Sequence, residues 1–246
     1  MGALALDELT WPEVRAEIAN GRDTLVLALG ATEQHGPHLP LGTDALIGDS
    51  AARAVAERLD AFVAPTVRVG CSEHHLAFAG TLSITTETFA AIVRDLVASV
   101  GRHGFARLVL LPTHGGNFGP LAAAMEGVDP VEGLEVVALT DLSILTEGTA
   151  AMSADQGVSP AEAGVHAGEW ETSLLLALHP ELVRMERAEE GYTGDLALGL
   201  RQAFGEGIDT VAGNGVFGDP RPALADSGSA YLDRLTDLIV ERVRPR

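Results

Sequence analysis

The sequence predicts an α/β protein, a single layered sandwich with a central, mainly parallel sheet flanked by helices, spanning residues 1–246. Three observations carry this expectation. Short apolar runs such as TLVLALG and ARLVLLP read as strands buried on both faces. Longer segments with apolar residues at spacings of three and four alternate with them, which is the order of βαβ units. Clusters of Glu, His and Asp then follow the apolar runs, where open parallel sheets place their ligands.

Taken in order, TLVLALG (24–30) ends in Gly and is the first strand. TDALIGDSAARAVAERL (43–59) has helical periodicity, and AFVAPTVRVG (61–70) reads as a second strand. TTETFAAIVRDLVASVGRHG (85–104) is the clearest helix, with Thr85 or Thr86 as its N-cap and Gly as its stop. ARLVLLP (106–112) and LEVVAL (134–139) supply two more strands. GEWETSLLLALHP and DSGSAYLDRLTDLIVERVR are helices, and residues 147–164 read as a loop with a helical piece. No repeat, low-complexity tract or linker marks a domain boundary.

The net charge of −19 argues against a nucleic-acid partner. All 16 cationic side chains are Arg, which fits a coding bias better than a functional choice. A lone cysteine, Cys71, excludes an intramolecular disulfide framework, reads as a small packed thiol and fits a reducing cytoplasm. The N-terminus shows no signal-peptide pattern, and no run approaches the roughly 18 apolar residues of a membrane helix.

The chemistry concentrates in three places. ATEQHGPHLPLGTDA (31–45) brings Glu33 and His35, which an extended backbone points the same way, and Asp44 at a helix start. THGGN brings His114 directly after a strand, and HAGEWETS brings His166 and Glu171 at a helix entry. Oxygen and nitrogen ligands without thiolates suit zinc, iron or manganese. Alone, Asp44 reads equally as a helix cap. His38 reads as a locally bonded residue, and His103 and His179 as helix C-terminal residues. His74 and His75, in CSEHHLAF, are candidates for lining a pocket.

The blocks TEQHGPHLPLGTDA, SEHHLAFAGTLSI, THGGN, HAGEWETSLLLALHPELVR and GNGVFGDPRPA occur in the order of the creatininase family, which the chain resembles over roughly residues 24–228. The resemblance implies a metal-dependent amidohydrolase, commonly hexameric, with two divalent metals per active site. By motif, Glu33, Asp44 and His114 hold one metal, while His35 and the bridging Asp44 hold the second. Creatinine-hydrolysing members place a Glu where this chain has Gly116, so Glu171 is the natural remaining ligand. They also carry Trp and Asp where Glu162 and Ala163 stand, which argues against creatinine. Relatives open other amides, remove formyl groups or trim a mycofactocin precursor peptide. His166 is the candidate proton donor to the leaving nitrogen, and Ser72 and His75 are candidate substrate contacts. A metal-binding protein without catalysis, and redox chemistry at a single iron, are the competing readings.

Overall fold

The computed structural model describes residues 2–244. Among them, strands β1 (Leu4–Ala5), β2 (Thr24–Leu29), β3 (Phe62–Val63), β4 (Arg107–Pro112) and β5 (Glu135–Ala138) form one parallel sheet in the order β1-β3-β2-β4-β5. The central pair runs in register from Thr24 opposite Arg107 to Leu29 opposite Pro112. Helices α1 (Trp11–Ala19), α2 (Thr43–Leu59), α3 (Thr86–Val100), α4 (Phe118–Glu126), α5 (Ser143–Asp155), α6 (Pro160–Ala163), α7 (Glu169–Leu178), α8 (Leu196–Glu206) and α9 (Ala225–Val243) complete the chain.

The two-residue period of a strand explains the layers. Leu25, Leu27 and Leu29, with Leu108 and Leu110, pack among Phe89, Val93 and Val97 of α3 and Leu121 of α4. Val26, Ala28, Val109 and Leu111 point to the other face, among Ile47 of α2, Leu174 of α7 and Ile239 of α9. Each fully buried Leu or Val contributes roughly 1.5–3 kcal/mol, so both faces must be covered and the strands read as unbroken apolar runs. A third, smaller cluster joins Ala203 of α8 to Ile208, Ala212 and Phe217, apart from both main cores.

Several elements depart from the sequence reading. Residues 61–70 form only two ladder residues, Phe62 and Val63, before Pro65, which cannot donate to the ladder; isolated bridges at Val67 and Gly70 follow. The stretch 147–164 is mostly helical, in α5 and α6. Helix α1 went unread because none of its residues is buried, although Thr10 and Glu13 form a complete capping box with Pro at its start. Helices α4 and α8 and the two-residue β1 also went unread. Thr85 does cap α3, accepting a bond from the Thr88 N–H. No helix among the described residues is long and apolar enough to cross a membrane.

Candidate metal centre

The centre lies beyond the carboxyl ends of β2 and β4. A Cβ on Gly30 would sit 2.9 Å from the Ala45 Cα, so only glycine lets the first turn of α2 close against the strand end. That contact brings Asp44 beside Glu33 and His35. Asp44 is inside the first turn, with Gly42 at the N-cap position, so its side chain is free of capping duty. His114 follows β4 by two residues. Glu171 comes from the first turn of α7, where the Ala167 N–H donates to its Oε2. Ala167 adopts a left-handed φ of 53° to make that bond, a conformation costly for a residue with a Cβ.

Each facing imidazole is oriented by a backbone carbonyl. His35 donates from Nδ1 to its neighbour Glu33 O at 3.1 Å, and turns Nε2 toward Asp44 Oδ1 at 3.3 Å and Glu171 Oε2 at 3.8 Å. His114 donates from Nε2 to Cys71 O at 3.1 Å, and turns Nδ1 toward Glu33 Oε1 at 3.2 Å and Asp44 Oδ2 at 3.3 Å. A second-layer bond of this kind fixes the tautomer and frees the other nitrogen as a ligand. Glu33, His35, Asp44 and His114 are all buried. Yet both oxygens of Glu33, Nε2 of His35 and Oδ2 of Asp44 have no hydrogen-bond partner. Glu33, His35 and Asp44 each offer a ligand atom within 4.8 Å of the other two, as ligands do around a cation.

The electrostatics agree. Burial opposes charge on His35, but Asp44, Glu171 and Glu33 outweigh it and hold the imidazole up at about 10. His114 is likewise raised, against its burial, by Glu33 and Asp44. Burial, with Asp44 and Glu33 nearby, lifts Glu171 to about 7 despite His35. Asp44 resists its burial and stays below the usual range because of His35 and His114. Three carboxylates, buried Glu33 and Asp44 and part-buried Glu171, therefore gather with no arginine paired to them among the described residues. Leaving them so is expensive, and a divalent cation is the compensation their donor atoms fit. Groups of three ligand atoms close enough to share an ion are Glu33, His35 and Asp44; His35, His166 and Glu171; and Glu33, His75 and His166.

His166 and His75 form the next layer through Gln34, which sequence reasoning missed. The Gln34 carbonyl accepts from His166 Nε2 at 2.7 Å, and its side-chain amide lies 2.8 Å from His75 Nδ1 and 3.1 Å from Gly215 O. The Gly36 N–H bonds Gln34 Oε1, which fixes the amide with its NH₂ toward His75. The 2.9 Å approach of Gln34 Nε2 to His166 Nε2 is then a contact between two donors. With Nε2 protonated, His166 presents a bare Nδ1 to the site, 3.7 Å from Glu33 Oε1. Burial and the charge on His35 keep His166 neutral, well below an ordinary histidine. His75 is pushed down by burial and by His166, and aims Nε2 at Glu33 Oε1 from 3.4 Å.

His75 lines the cavity over the centre, but Ser72 does not. Ser72 is wholly buried, with Oγ 3.4 Å from His114 Nε2, so the structure places it behind a candidate ligand and away from the substrate space. Burial likewise raises the Cys71 thiol. His38 bonds Thr172 at 2.9 Å, away from the centre, and His179 caps the end of α7. Gly116 explains the missing carboxylate: a Cβ there would meet Cys71 O and His114 Nε2 at 2.4 Å, so the position is closed to any side chain.

Comparison with known proteins gives one answer. The profile of the family described as creatininase, creatinine amidohydrolase, matches residues 7–243. The mycofactocin precursor peptide peptidase of Mycobacterium tuberculosis (strain H37Rv) is 35 % identical over 93 % of this chain and 87 % of its own length. The creatinine amidohydrolase of Pseudomonas putida is 33 % identical over 73 % of this chain and 74 % of its own. A solved mutant creatininase named as a Zn–Zn type is 26 % identical, with a TM-score of 0.80 covering 99 % of this chain and 98 % of that one. The protein is a member of the creatininase family, an amidohydrolase acting on carbon–nitrogen bonds.

Proposed function

We propose that the protein hydrolyses a peptide or other extended amide with two divalent metals held by its buried carboxylate–imidazole cluster. The observation that carries this is the convergence of partnerless, buried oxygen and nitrogen atoms of Glu33, His35 and Asp44 on one point. Glu33, Asp44 and His114 would hold one ion, and His35, Asp44 and Glu171 the other. Zinc, manganese and iron all suit this donor set. Divalent ions there supply Lewis acidity to the amide carbonyl and to water.

The chain's own residues handle the proton. His166 Nδ1 is bare and faces the centre, so it takes a proton from the attacking water and returns it to the leaving nitrogen. This refines the expectation of a simple donor, since a neutral imidazole must first be loaded. His75 donates toward Glu33 and borders the substrate space. Ser72 supports His114. The peptide reading is supported by the sequence similarity, which covers 93 % of this chain for the M. tuberculosis precursor-peptide peptidase and 73 % for the P. putida creatinine amidohydrolase.

His166→Ala should keep its metal and slow turnover of an alkyl amide by about 10²–10⁴-fold. The defect should shrink for an activated ester, whose leaving group needs no proton. Equal defects on both substrates at full metal occupancy would remove His166 from proton transfer, and loss of metal would make it a ligand. The lone buried Cys71 supports a cytoplasmic setting, and the family resemblance supports a homohexamer, which light scattering on the purified protein checks.

A further inference from the structure

A cavity opens over the centre. One side is the carboxylate–imidazole cluster. The other is apolar: Leu142, Val165, Phe217 and, from α8, Leu200, Ala203 and Phe204. Helix α8 lines the cavity, and none of its residues belongs to the clusters on the two sheet faces. It is seated by the separate cluster of Ala203, Ile208, Ala212 and Phe217, and its Gly199 is closed in by Tyr192 and Phe217. Across the mouth, the half-exposed Phe204 meets the His74 ring with centroids 4.4 Å apart.

A wider groove continues outward past Leu142, His74 and Phe204. Its charged lining is Glu73, Glu87, Glu206 and Asp209, and no arginine lines either space among the described residues. A substrate carboxylate entering along this groove would pass four acidic side chains and no arginine before it reached the chamber. Repulsion excludes anions while the inner wall rewards apolar surface.

We propose that the chamber under α8 is a subsite for a bulky, apolar, non-anionic group beside the scissile amide, with Leu200 and Phe204 setting the preference. The proposal rests on the metal-dependent amidohydrolase reading and names the substrate class for it. Calorimetric titration of the metal-loaded protein with three hydroxamates separates the two. Acetohydroxamate reports the metal centre alone, 3-phenylpropionohydroxamate adds an apolar ring, and glutaric monohydroxamate adds a carboxylate. The phenyl probe should bind about 10–100-fold tighter than acetohydroxamate, and the glutaric probe no tighter than it. Phe204→Arg, at a half-exposed position that tolerates charge, should invert the order of the two longer probes and leave acetohydroxamate unchanged. Phe204→Ala should weaken the phenyl probe alone. Equal affinities for all three probes would overturn the apolar subsite with the metal reading intact. An unchanged order in Phe204→Arg would remove Phe204 from the wall. Failure of acetohydroxamate itself to bind would overturn the metal reading and the proposal with it.

Discussion

Asp44 faces both His35 and His114 from one carboxylate, so its loss should cost more than that of any other candidate ligand. Asp44→Ala is expected to lose most bound metal and nearly all activity, and elemental analysis of the purified variant checks the first. Retention of two metals would reduce Asp44 to an ordinary helix residue. Gly116 makes a sharper case. Placing Glu at 116 in a Glu171→Ala background should not restore metal, because its Cβ would collide with the Cys71 carbonyl. Recovered metal content would show that the 114–117 turn can move aside. The ligand candidates were legible in the sequence because Glu, His and Asp in extended or helix-start positions after strands have few bland explanations as a set. Gln34 was not legible, since an amide between two such residues carries no ionic signature. Gln34→Leu should keep the metal while lowering turnover about 10–100-fold, as losses of outer-layer partners do, because it unfastens His75 and His166. Activity equal to that of the unaltered protein would contradict this.

Helix α7 carries Glu171 and begins three residues after His166, so what fixes α7 fixes that side of the centre. Glu169, fully buried, accepts bonds from Ser173 Oγ at 2.6 Å, Ser153 Oγ at 3.0 Å and Tyr231 OH at 3.1 Å. It thereby joins α5, α7 and α9. Tyr231→Phe removes one donor from a buried carboxyl group and should lower stability by roughly 1–3 kcal/mol in urea titrations. A change within a few tenths would mean that water or a rotated serine replaces the hydroxyl. Elements with two buried faces or strong periodicity were read best: β2 and β4 almost to the residue, and α3 from its Thr85 cap, although it ends at Val100, four residues short of the expected 104. The elements that went unread lacked such a signal. Helix α1 has no buried residue, β1 has two residues, and α8 packs on a small cluster of its own rather than on the sheet. The second strand was overdrawn because apolar residues continue past Pro65 after ladder pairing has stopped.

At the scale of the molecule, the centre couples folding to protons and metal. In metal-free protein, buried His38, His74, His75 and His166 have folded pKa values below the unfolded value of about 6.5, so stability falls as pH drops through that value. Glu171, raised to about 7, opposes this with one group. His35, at about 10, and His114 are raised, so their stabilisation is complete below about 6.5 and is lost as pH climbs toward their folded values. Chelator-treated protein should therefore be most stable near pH 6.5, as urea titrations across pH 5–9 will show; a monotonic profile would contradict this balance. The parallel sheet with its site beyond the strand ends was legible from the alternation of elements. The cap over the site was not, because α8 packs on a small cluster of its own, Ala203 with Ile208, Ala212 and Phe217, and not on the sheet. The account stands or falls on whether hydrolysis needs metal in this centre. The most direct measurement strips the protein with chelator and follows amide hydrolysis and bound metal together during zinc or manganese titration. The account predicts no activity without metal and a rise that saturates at two ions per chain. Full activity in the stripped protein, or saturation that Asp44→Ala leaves unaltered, would contradict it.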